Sequence, residues 1–146
     1  MALLNELYQE IIIDHSAFPR NEGTLDAGTH FAEAYNATCG DELTLTLLVA
    51  NNFIKDVKFH GQGCSISKAS ASMMTEKIKN MTVTKALEFS KNLQKILNGD
   101  DLNPLDEEMM GDLIALLGVR QFPMRVKCAT LPWHALDDAL QCLILP

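Results

Sequence analysis

The chain has 146 residues, 47% of them apolar and 21% charged, with a formal charge of −7. That length suits one globular domain, spanning residues 1–146, with a developed core. The acidic balance excludes nucleic acid as a partner, because a phosphate backbone requires a basic footprint.

The first ten residues have no basic start, and Asn5, Glu6 and Glu10 interrupt any apolar run, so no signal peptide is expected. Apolar stretches such as Leu43 to Ala50 are too short to cross a bilayer. A cytoplasmic protein without membrane contact is therefore expected, with Cys39, Cys64, Cys128 and Cys142 as reduced thiols. No CxxC pair occurs, which sets aside zinc ribbons and thioredoxin-like sites.

In chain order, Leu4, Leu7, Tyr8, Ile11 and Ile12 predict a helix from Leu3 to His15. Asp14 to Asn21 reads as a loop at a solvated helix end. Thr29 to Ala37 predicts a short strand with Phe31 and Tyr35 as its bulky members. Leu43, Leu45, Leu47 and Val49 alternate with polar neighbours in a second strand, Glu42 to Ala50. Asn51 and Asn52 tolerate positive φ and predict a tight hairpin. The returning strand, Phe53 to His60, is expected to point Phe53, Val57 and Phe59 inward, with Asp56, Lys58 and His60 outward.

Gly61 and Gly63 permit a sharp turn into a helix from Ser65 to Ile78, which places Cys64 at a helix N-terminus. Further helices are predicted over Thr84 to Leu97, over Asp106 to Leu117 with Asp106 as its cap, and over Thr130 to Leu145. Met73, Met74, Met109 and Met110 read as core filler, and Cys142 as a core residue. Gly118 to Pro123 reads as a loop. The fold class is α+β: a small antiparallel sheet of about three strands with helices packed on one face.

Three passages carry a resemblance. They are Asn36-Ala37-Thr38-Cys39-Gly40-Asp41, the run from Gly61 through Cys64 to Met74, and Phe122 to Leu131 around Cys128. With Asp14, His15, Pro19, Arg20 and Asn21, they resemble the IscU/NifU-like family of iron–sulfur cluster assembly proteins over essentially the whole chain. Lys127 stands where IscU scaffolds carry a histidine, and Asn98 to Met110 lies in an extra segment between the second and third cysteines. Both features resemble the SufU branch.

The resemblance implies an IscU/NifU-like fold and a zinc site formed by Cys39, Asp41, Cys64 and Cys128. Such a three-sulfur, one-oxygen set suits tetrahedral zinc. It leaves a net negative charge for Arg125, Lys127 or Arg20 to offset. The implied activity is sulfur transfer: Cys39 accepts persulfide sulfur from a PLP-dependent cysteine desulfurase of the SufS kind, within a set of SUF assembly proteins. Cys39 is expected to leave the metal for this step while Asp41 holds it. The alternative is a scaffold assembling a [2Fe–2S] cluster on the same cysteines, since thiolates suit both.

Overall fold

The computed structural model describes residues 2–100 and 107–141. Helix α1 (Ala2–Ala17) leads into the strands β1 (His30–Asn36), β2 (Asp41–Ala50) and β3 (Phe53–Gln62). Helices α2 (Ser65–Ile78), α3 (Val83–Leu97) and the short α4 (Glu107–Met110) follow, then a 3₁₀ helix (Gly111–Val119) and α5 (Pro123–Gln141). The strands form an antiparallel sheet in the order β1-β2-β3.

Alternation sets the inner face of the sheet. Leu43, Leu45 and Leu47 of β2 are buried, as are Ile54, Val57 and Phe59 of β3. Helices α5 and α2 cover that face, and Trp133, Met74 and Leu136 fill the space between. Phe31 and Tyr35 stand exposed on the other face. The Asn51–Asn52 turn has φ of 53° and 66°, the doubly left-handed conformation of a tight hairpin.

Phe53 is exposed and Ile54 buried, the reverse of the sequence expectation for this end of β3. The register shifts between Leu48 and Val49, which pair with Asp56 and Ile54, so Lys55 is an extra residue. A bulge of this kind inverts the inward parity on one side of it. The outer edge of β3 is closed by a loop: Gly23 N–H donates to Phe59 O and Phe59 N–H to Asn21 O. The Pro19–Asn21 run thus works as an edge cover.

Two helical expectations and one core assignment are corrected. The helix predicted from Asp106 to Leu117 is α only as far as Met110; Gly111, at φ +55°, breaks it into the 3₁₀ run. Asp106 lies outside the described residues, as do Cys142 and the end of the last helix. Helix α5 begins at Pro123, seven residues before the predicted Thr130, because proline fits the first helical position. Met109 is exposed and so is not core, whereas Met73, Met74 and Met110 are buried.

His15 departs furthest from its solvated reading. It is buried, with Nδ1 2.8 Å from Ser72 Oγ and Nε2 3.1 Å from Asp112 Oδ2. The backbone N–H of Arg20 also donates to Ser72 Oγ, at 2.9 Å. One imidazole therefore ties α1 to α2 and to the 3₁₀ helix.

A second polar bridge lies in the core. Trp133 Nε1 donates to Ser70 Oγ at 3.1 Å, and Ser70 Oγ donates to Ala129 O at 2.6 Å. A buried indole N–H needs such a partner. Ser70→Ala leaves it unpaired, and stability is expected to fall by about 1–3 kcal/mol. The urea unfolding midpoint measures this, and an unchanged midpoint would disprove the bridge.

Candidate metal centre

The turn between β1 and β2 holds Ala37, Thr38, Cys39 and Gly40, closed by the cross-strand pair Asn36 and Asp41. Asn36 Oδ1 accepts from the Thr38 N–H at 3.2 Å, an Asx-type brace at the start of the turn. Gly40 has φ +70°, a left-handed position suited to glycine. Cys39 is therefore presented at a hairpin tip, half-buried.

Asp41 opens β2 on the inward side and is 1% exposed. Its Oδ1 accepts the backbone N–H of Cys64, the N-cap residue of α2, at 2.8 Å. This contact needs Gly63: a Cβ there would lie 2.5 Å from Asp41 Oδ1 and 2.7 Å from Ser67 Oγ. Ser67 Oγ in turn donates to Cys64 O at 3.1 Å, bracing the same turn.

Cys128 comes from the second turn of α5 and is fully buried. Pro132, one helical turn on, lacks the N–H that would bond the Cys128 carbonyl. Cys128 Sγ donates to Cys39 Sγ at 3.2 Å and to Met124 O at 3.6 Å, and Asn36 Nδ2 lies 4.0 Å from it. Burial, followed by the neighbouring Cys39, Asp41 and Cys64 groups, pushes the Cys128 thiol far above the ordinary cysteine range.

The donor atoms of Cys39, Asp41 and Cys128 all lie within 4.8 Å of one another. Cys64 is outside that trio, although its thiol acts on Cys128 and its backbone holds Asp41. Asp41 Oδ2 is buried without a hydrogen-bond partner. A buried carboxylate oxygen with nothing to accept is costly. The carboxylate that carries it lies beside two thiols, a donor set that could hold a metal ion. Thiol and carboxylate ligands together fit zinc chemistry.

The basic residues divide. Arg20 pairs with Asp14 at 2.6 Å, so it is already engaged away from the sulfurs. Arg125 and Lys127 are exposed and make no ion pair among the described residues. The sequence motif carries Asn36 without a role, and Gly63 only as a glycine that permits the turn into α2. For Gly63 the available signal was a second glycine directly before a cysteine, but its need arises from a side chain 22 positions earlier in the sequence.

Comparison with known proteins now adds to the geometry. The profile of the NifU-like N terminal domain matches residues 7–129. The zinc-dependent sulfurtransferase SufU of Bacillus subtilis is 44% identical over 95% of this chain and 92% of its own length. The iron–sulfur cluster assembly scaffold protein IscU of Streptococcus pyogenes is 38% identical over 97% of this chain and 87% of its own. The crystal structure of FiSufU from Fervidobacterium islandicum matches with a TM-score of 0.83 and 40% identity, covering 90% of this chain and 94% of that one.

Two glycine substitutions separate the parts of the site. Gly63→Ala pushes Asp41 off Cys64 and is expected to weaken metal binding by about 10–100-fold. Gly40→Ala meets nothing within 4 Å and strains the backbone alone, by about 1 kcal/mol. Chelator competition should therefore show a large loss for the first and near-native affinity for the second.

Proposed function

Since the chain belongs to the NifU-like N-terminal domain family, as a SufU-type member, we propose that it serves iron–sulfur cluster assembly as a zinc-dependent sulfur carrier. Its sulfur donor is the persulfide of a PLP-dependent cysteine desulfurase. The observation that carries the metal half of this reading is the buried Asp41 carboxylate, with one oxygen orphaned and a donor atom within 4.8 Å of the Cys39 and Cys128 sulfurs. The relative named as a zinc-dependent sulfurtransferase spans nearly the whole chain, which supports the activity.

Cys39, Asp41 and Cys128 hold the metal in this proposal, with Cys64 as the fourth ligand after a small shift of its side chain. Bound zinc keeps its cysteine ligands as thiolates at neutral pH. The rest falls to the chain itself. Asp41 is oriented by the Cys64 N–H, which holds its carboxylate beside the sulfurs. Cys39 is the acceptor that the family motif implies; it sits half-buried on a turn, as Cys64 does at the start of α2, whereas Cys128 is buried in α5.

In the transfer step, the Cys39 thiolate attacks the outer sulfur of the partner's cysteine persulfide. The partner's S–S bond breaks, its cysteine departs as a thiolate, and Cys39 carries the extra sulfur. Phe122 and Met124, exposed at the start of α5, offer an apolar contact for that partner near the Cys128 end of the site. Other SUF assembly proteins then receive the sulfur.

The test combines metal analysis with a desulfurase assay. Protein purified without oxygen should contain zinc in a one-to-one ratio and show no visible chromophore, whereas an iron–sulfur chromophore would favour the scaffold reading. With desulfurase and cysteine, mass spectrometry should find persulfide on Cys39, and Cys39→Ala should lower sulfur acceptance by about 100-fold or more. Native-level acceptance by Cys39→Ala would move the role to another cysteine.

A further inference from the structure

Cys39 and Cys128 are 89 positions apart in sequence, yet their sulfurs are 3.2 Å apart. A disulfide needs about 2.05 Å between sulfurs. The gap to be closed is roughly 1 Å. A Cβ at Gly40 would have no atom within 4 Å, so open space surrounds the tip of the turn. Cys39 is half-buried, whereas Cys128 is buried.

We propose that Cys39 and Cys128 form an oxidative modification site, closing to an intramolecular disulfide with a hydroperoxide as oxidant when no metal holds them. The proposal needs only the two thiols and stands apart from the sulfur-carrier reading. Cys39 is struck first because it is the accessible member. Its sulfur takes one oxygen as the O–O bond breaks, leaving a sulfenic acid and releasing an alcohol, or water from hydrogen peroxide. The Cys128 sulfur then bonds to the Cys39 sulfur, and the sulfenic oxygen leaves as water with the Cys128 proton. Two thiols are oxidised and one hydroperoxide is reduced.

The closed pair pins the β1–β2 turn to α5 and withdraws two sulfurs from the donor trio. Metal and disulfide therefore exclude each other. Cys64 also stands beside Cys128, and Cys39 is assigned as the partner because its sulfur is 3.2 Å from that of Cys128.

The experiment treats metal-free and zinc-loaded full-length protein with one equivalent of hydrogen peroxide. Free thiols are then alkylated, and peptides are mapped without reduction. Metal-free wild type should give a Cys39 peptide linked to a Cys128 peptide, with Cys64 alkylated, and dithiothreitol should reverse the link. Zinc-loaded protein should react about tenfold more slowly. Cys64→Ser should still form the link. A Cys64–Cys128 or Cys39–Cys64 link, or overoxidised Cys39 beside an alkylated Cys128, would overturn the assignment. Equal rates with and without zinc would overturn the mutual exclusion. The wild-type map decides the pairing whether or not the variant folds.

Discussion

The site depends on how one carboxylate is divided. Asp41 Oδ1 accepts the Cys64 N–H at the start of α2, while Oδ2 stays buried without a partner, on a carboxylate grouped with Cys39 and Cys128. The first contact fixes the ring of backbone that joins β2 to the β3–α2 turn. The second leaves a donor that ordinary packing would not tolerate, since a buried unpaired oxygen is destabilising. Gly63 makes this division feasible, because any side chain there would occupy the carboxylate's place.

Two remote features hold the elements that carry the sulfurs. The Ser70 bridge joins α2 to α5 through Trp133 and the Ala129 carbonyl, one residue from Cys128. His15 joins α1, α2 and the 3₁₀ helix through Ser72 and Asp112. Both bridges meet α2 on small residues, where helices approach closely enough for a hydroxyl to reach across. The run Ala69 to Ser72 thus combines close packing with hydrogen bonding, and all four residues are buried. The sulfurs of Cys39 and Cys128 meet where the β1–β2 turn reaches α5.

The strands of the sheet were readable because period-two alternation is strong in Leu43, Leu45 and Leu47, and because Asn51-Asn52 is an unambiguous turn. The Phe53 end was misread, since a bulge at Lys55 leaves no mark in local polarity. The start of α5 was placed late because Phe122 and Pro123 look like loop residues until the proline is seen as the first helical position. His15 was misjudged for a different reason. Its partners, Ser72 and Asp112, lie 57 and 97 positions away. No window along the chain contains such a contact.

By itself, the sequence determined the α+β class, the antiparallel hairpins and the three cysteine motifs, because each rests on local pattern and residue type. Tertiary structure decided which donor atoms meet. It brings Cys39, Asp41 and Cys128 together and leaves the Cys64 thiol beside them. It also decided which sulfur is sealed and which is reachable, a difference no spacing encodes. The physical reason is that convergence depends on three separate elements: a hairpin tip, a strand start and the second turn of a distant helix. Their relative positions are set by core packing and by Asp41 bridging to the N-cap of α2.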